Sequence, residues 1–143
     1  MRRVLPIILL LLVILVSCAN TNQKADGSVM RISVTDGKHT VVFRLNDSTP
    51  AKSLYGMLPM DVGIGDYLAN EKIFYPPQKV DASDGIVGGG DAGDLALFSP
   101  WGDIVMYVGP FGSYPGLFLL GTAEKGADLI RNLNGTIHVD RVQ

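Results

Sequence analysis

The chain has 143 residues, 47% of them hydrophobic and 18% charged, which suits one domain with a sizeable core. Twelve basic against fourteen acidic residues leave a net charge of −2, which excludes a nucleic-acid binder that relies on overall positive charge. One cysteine rules out an intrachain disulfide, and with only two histidines soft ligands are too few for a zinc site, so no metal and no cofactor is expected.

The chain starts Met1-Arg2-Arg3, followed by an almost unbroken apolar run from Val4 to Val16 and then Ser17-Cys18. A basic start and about a dozen apolar residues are the layout of a secretory signal peptide, here over residues 1–17. As a helix the run would cover roughly 20 Å, short of the ~30 Å hydrocarbon core of a bilayer. Leu15-Val16-Ser17-Cys18 resembles a bacterial lipobox, in which the cysteine is lipidated and the chain cleaved just before it. The resemblance implies that Cys18 is the lipidation site and that the partner it meets is a membrane. Each buried methylene contributes about 0.8 kcal/mol, so several acyl chains anchor stably. Residues 18–28 (CANTNQKADGS) are then the lipidated cysteine and a polar tether. Ala19 in place of Asp implies, for a Gram-negative envelope, sorting to the outer membrane facing the periplasm. Removal of residues 1–17 takes away Arg2 and Arg3 but no acid, so ten basic and fourteen acidic residues remain, a charge of −4.

Residues 29–143 read as one β-rich domain. Met30, Ile32 and Val34 alternate with Arg31 and Ser33, Asp36-Gly37 supplies a turn, and His39 to Leu45 resumes as a strand, which together predict a hairpin. Asn46-Asp47-Ser48-Thr49-Pro50 signals entry into a helix whose face carries Ala51, Leu54, Tyr55 and Leu58, ended by Pro59. Glu71 to Tyr75 is a short strand closed by Pro76-Pro77, and a Gly- and Asp-rich loop fills 81–93. Strands follow at Asp94–Phe98, Asp103–Val108 and Gly116–Leu120. Thr122 caps a second helix through Ala127, Leu129, Ile130 and Leu133, and Thr136–Val142 closes the chain as a strand. Many short strands with two short helices favour a small mainly-β barrel capped at its ends.

The segment Gly93-Asp94-Leu95-Ala96-Leu97-Phe98-Ser99-Pro100-Trp101-Gly102-Asp103-Ile104-Val105-Met106-Tyr107 resembles the bacterial cyclophilin-like family, divergent relatives of the proline isomerases. So do Asn70-Glu71-Lys72-Ile73, the ending Gly116 to Gly121, and the strand, Thr49-Pro50 and helix order near the start. The resemblance spans about Val29 to Val142 and implies a closed eight-stranded β-barrel with two short capping helices. It does not carry the isomerase motif. That motif reads roughly Phe-His-Arg followed by Phe-x-x-Gln-Gly-Gly-Asp, and this chain has no arginine between Arg44 and Arg131. Gly88-Gly89-Gly90-Asp91 echoes the motif's end, but Val87 stands where glutamine is needed. No catalytic residue is therefore expected.

Gly88, Gly90 and Gly93 spell G-x-G-x-x-G, but a strand-like Leu95–Phe98 follows where a dinucleotide site needs a helix, so a flexible turn is the expected reading. Asp81, Asp84, Asp91 and Asp94 lack calcium-loop spacing and read as a solvated acidic loop. Five aromatics, Tyr75, Trp101, Tyr107, Phe111 and Tyr114, stand at or beside turn-rich segments, where rings on a rigid barrel form a peptide- or ligand-binding surface or plug the barrel end. Arg44, opposite Val41 and Phe43 in the alternation, either binds an anion or pairs with a surface acid. The expectation is an exported, membrane-anchored, non-catalytic module that binds a peptide or small ligand. The alternatives are a proline isomerase with a non-standard site and a structural envelope component.

Overall fold

The computed structural model describes residues 27–143; the signal segment, Cys18 and most of the tether lie outside the described residues. The chain opens with β1 (Arg31–Thr35) and β2 (Thr40–Leu45), paired antiparallel with Val34 opposite Val41. Asp36 shapes the turn between them: its Oδ1 accepts from the backbone N–H of Lys38 at 2.9 Å and of His39 at 2.7 Å. A bond to the His39 ring, then these amides, hold the Asp36 carboxyl well below the usual carboxylate range.

Helix α1 (Thr49–Gly56) starts where expected, with Ser48 as N-cap accepting from Ala51 N–H and Pro50 in the first turn. It buries Pro50, Ala51 and Leu54, and Leu58 beyond it is also buried. The remaining strands are β3 (Met60–Gly63), β4 (Gly65–Tyr67), β5 (Glu71–Phe74), β6 (Ile86–Val87), β7 (Asp94–Phe98), β8 (Asp103–Tyr107), β9 (Leu117–Lys125) and β10 (Thr136–Arg141).

Pairing runs β3-β10-β1-β2-β9-β7-β8-β5-β4, with the short β6 attached to β9. The two end strands, β3 and β4, are separated by Ile64 alone, so the sheet curls until its ends belong to one bent segment. Counted as one strand, that segment makes the nearly closed antiparallel barrel eight-stranded. Its interior is filled from alternate positions: Ile32, Val34, Val41, Phe43, Ile137 and Val139 are all fully buried.

The second helix departs from expectation. Thr122 does not cap a helix; it lies within β9, which runs past Leu120 to Lys125. After β9 comes a 3₁₀ turn, Ala127–Asn132, entered through Gly126 at φ 75° with no side-chain cap. Helix-forming residues here are overridden by the free edge of β2, which pairs Arg44 with Thr122 and Phe43 with Ala123. Gly121 makes this approach possible, because a Cβ there would collide with the Arg44 carbonyl oxygen. Arg31 and Glu124 then join across the strands at 2.8 Å.

Candidate ligand-binding site

Most strands bury one face, but β8 buries all five of its residues and β7 its central three. Ile104, Met106, Leu95 and Leu97 point into the barrel core. Asp103, Val105 and Tyr107 occupy the alternate positions and therefore share the outer face. Register assembles the rest of that face: Glu71 lies opposite Tyr107, Ile73 and Ala96 opposite Val105, and Phe98 opposite both Asp103 and Leu117. Ala96, Val105, Tyr107 and Leu117 form a second apolar cluster, packed by Ile73, Phe98 and Phe111.

Two loops rise over this face. In the first, the backbone N–H groups of Trp101 and Gly102 both donate to Phe98 O, at 3.2 and 2.8 Å, and Gly102 takes the left-handed φ of 79° that the tight turn demands. Trp101 is thereby set edge-on against Phe98 at 5.3 Å between centroids, and Tyr67 from β4 meets Trp101 edge-on at 5.1 Å. In the second loop, Phe111 exchanges two 3.0 Å backbone hydrogen bonds with Gly90 and stacks on Tyr107, centroids 3.5 Å apart and planes 7° from parallel. Tyr114 closes the arc against Phe98 at 5.8 Å.

The glycine run has its explanation here. A Cβ on Gly89 would sit 2.6 Å from the Phe111 carbonyl oxygen, and one on Gly90 would crowd the Phe111 ring and the Asp94 carboxylate. Gly89-Gly90 permits a close backbone approach that holds Phe111 in place, while Gly88 lies against the Leu119 side chain. The neighbouring acids serve the loop itself: Asp94 Oδ2 accepts from Asp91 N–H at 2.9 Å, and Asp81 Oδ1 accepts from Ser83 N–H at 3.0 Å. Among the described residues no group of three or more His, Cys, Asp or Glu side chains is placed to hold a metal.

The result is an open cavity of about 420 Å³. Its walls are Tyr67, Phe98, Trp101, Tyr107, Phe111 and Tyr114; Val105 and Leu117 contribute apolar floor, and Glu71 and Asp103 contribute carboxylates. Trp101 is 51% and Tyr114 60% exposed at the rim, while Asp103 is only 1% exposed and its Oδ1 has no hydrogen-bond partner. Burial raises the Asp103 carboxyl above its ordinary value, partly offset by its own backbone N–H. Burial and then the charge of Asp103 raise Glu71, with the Tyr107 hydroxyl acting the other way. Burial, followed by the charges of Glu71 and Asp103, pushes the Tyr107 phenol upward. Among the described residues no Lys, Arg or His lines the cavity. It offers aromatic surface and negative potential, not a cationic donor.

Four of the aromatics singled out in the sequence, Trp101, Tyr107, Phe111 and Tyr114, thus meet in one place. Tyr75 does not join them; it faces a neighbouring depression with Pro76, Pro77 and the far side of Trp101. Arg44 is remote from the cavity, beside Val29, Asn46, Asp47 and Thr122, and is one of the charges that lower Glu124 after Arg31. Tyr67, Phe98, Glu71 and Asp103 were not among the residues the sequence pointed to. Asp103 opens the expected strand, two and four positions before Val105 and Tyr107, a spacing that shares a strand face, but alternation alone does not say that this face is covered. His39 and His138 lie outside the cavity: the first pairs with Asp36 at 3.0 Å, the second with Asp61 at 2.8 Å.

No curated protein matches the chain. Among solved structures it is similar to a hypothetical protein from Archaeoglobus fulgidus determined in solution, with a TM-score of 0.69 and 15% identity over 83% of this chain and 99% of the other. At that identity the likeness is one of fold. The sequence profile described as the cyclophilin-like family matches residues 34–141, three-quarters of the chain and nearly all of the barrel. The chain therefore belongs to the cyclophilin-like family.

Proposed function

We propose that this protein is a membrane-tethered, non-catalytic binding module whose barrel presents the aromatic cavity to a small ligand. The single observation that carries the binding reading is Asp103: a carboxylate only 1% exposed, with an unpartnered Oδ1, on a residue lining a cavity walled by six aromatic rings. A buried, unsatisfied carboxylate costs stability, so a site that keeps one is organised for something other than packing. A purely structural envelope role leaves that cost without a counterpart. Proline isomerisation asks for a donor that weakens amide resonance across a ~20 kcal/mol barrier, and among the described residues no Arg, Lys or His lines the cavity.

The tether half of the reading rests on the residues before the barrel: a basic start, the apolar run and Leu15-Val16-Ser17-Cys18. Lipid on Cys18 would hold the module at an envelope membrane, on the outer membrane facing the periplasm in a Gram-negative cell. The two halves are tested separately. Cys18→Ala is expected to move the protein from the membrane to the soluble fraction, and unchanged membrane retention would sink the anchor. A thermal-shift screen of small molecules against the full-length chain is expected to yield ligands that raise the melting temperature, since ligand at about a hundred times its Kd stabilises by about 2.7 kcal/mol. The shift should vanish in Trp101→Ala. If no compound shifts melting, or the shift survives in that variant, the cavity is not the binding site.

A further inference from the structure

We propose that the cavity takes the substituted-ammonium head group of a small molecule, held over its aromatic rings and neutralised by Asp103 and Glu71. The inference rests on the binding-site reading above and specifies its ligand class. It comes from the groups the cavity contains and those it lacks.

Aromatic rings carry negative π-faces, and several converging on one space attract a cation whose surface is itself apolar. Six rings surround this cavity from four separate segments: β4, β7 with its following turn, β8, and the loop before β9. Among the described residues the charge in the same space is all of one sign. Asp103 is buried with an orphan oxygen, Glu71 is half-buried, and the charge of Asp103 adds to the cost of ionising Glu71. Lys72, the residue after Glu71, lies on the other face of β5 and is paired with Asp66 Oδ1 at 2.6 Å. A neutral apolar guest would desolvate both carboxylates further without pairing them, and an anion would be repelled. A cation offsets the charge of the carboxylates and meets the ring faces together.

The kind of cation is also constrained. Calcium and magnesium take six or more oxygen ligands, and the side chains lining the cavity supply two carboxylates among six aromatic rings. A primary ammonium is compact, strongly hydrated and needs acceptors for three N–H donors. An alkylated ammonium gives up less hydration on entry and presents methyl groups to the ring faces. A volume of about 420 Å³ leaves room for such a head group with a short attached chain.

Trp101 is the only tryptophan in the chain and forms part of the wall, so its emission reports occupancy. The test titrates the full-length protein with choline and with 3,3-dimethylbutan-1-ol, its neutral carbon isostere. Choline is expected to change Trp101 emission saturably, the isostere to bind at least about tenfold more weakly, and Asp103→Asn to weaken choline by a similar factor. Glu71→Gln, at a half-buried position, should weaken it in the same direction and serves if Asp103→Asn does not fold. Arg44→Ala, remote from the cavity, should leave binding unchanged. Equal binding of the isostere overturns the cation assignment while leaving a small-molecule site in place. Tighter binding of a trimethyllysine peptide than of choline overturns the small-molecule assignment. If neither choline nor any neutral or anionic compound alters Trp101 emission or the melting temperature, the cation assignment falls together with the binding-site reading.

Discussion

The β1–β2–β10 side of the barrel and the β7–β8 side are built from strands of similar length, yet they bury themselves differently. On the first side burial alternates strictly: Ile32, Val34, Val41, Phe43, Ile137 and Val139 go inward and their neighbours face water. On the second side both faces are covered, the inner by core and the outer by loop aromatics. A strand with one wet face needs only a partner sheet. A strand buried on both faces needs a second layer, and here that layer is open enough to be a cavity. The extra layer also explains why ionisable groups behave oppositely on the two sides. Asp36 is stabilised as an anion by the hydrogen bonds of its turn, whereas Asp103 and Glu71 are penalised as anions by burial.

The contrast can be broken most severely from the core. Phe43→Ala removes a fully buried ring from the alternating side and is expected to cost about 3–5 kcal/mol in a denaturant melt. The next largest effect should come from the outer layer. Gly89→Ala forces a Cβ against the Phe111 carbonyl oxygen and is expected to cost about 1–3 kcal/mol, with a changed near-ultraviolet circular dichroism signal as Phe111 shifts. Gly112→Ala, in the same layer but with open space around its Cβ, should stay within about 0.5 kcal/mol. A glycine pair that behaved alike would remove the case for a packed Gly90–Phe111 bridge.

A smaller effect, with a sign that differs between the two sides, is expected from pH. The folded-state pKa of Asp36 is depressed, so its contribution is complete above the ordinary carboxylate value and lost as pH falls through the depressed one. Asp36→Asn should therefore lower the melting temperature at neutral pH, and the difference should shrink in acid. Asp103 is raised, so the folded state binds its proton more tightly than the unfolded chain, and protonation stabilises the fold. Asp103→Asn should raise the melting temperature by a few degrees at neutral pH, again with a difference that shrinks in acid. Melts across the acid-to-neutral range read both signs, and a destabilising Asp103→Asn at neutral pH would contradict the burial argument. The least effect is expected from Arg31→Met, which removes an exposed cross-strand ion pair with Glu124. Its loss should be small and should disappear at high salt.

Much of this architecture is legible in the residues. The hairpin, α1 with its Ser48 cap, and the strands at Asp94–Phe98 and Asp103–Tyr107 follow from alternation, capping chemistry and turn formers. The short strands β3, β4 and β6 escape such reading. They hold two to four residues each, and β4 has no buried residue; all three exist because a neighbour offers a backbone edge. Thr122 is the clearest case. Its surroundings read as a helix start, and pairing with β2 turns it into strand.

The candidate site divides the same way. Trp101, Phe111 and Tyr114 are recognisable because large rings in Gly- and Pro-rich turns ask for an explanation. Tyr75 asks equally and lies elsewhere. Nothing in the sequence associates Glu71 with Asp103, because β5 and β8 become neighbours only through the barrel's long-range pairing.

By itself the sequence determines a mainly-β barrel of the cyclophilin-like family, carries an N-terminal segment with the pattern of an export signal, and does not contain the isomerase arginine motif. These are local properties: periodicity, residue type and spacing survive in one dimension. Which aromatic rings share a space, which glycines hold a loop against its neighbour, and which carboxylates are buried without partners are properties of register and closure. Only the tertiary structure decides them, because a strand's outer face becomes a cavity when distant loops fold over it.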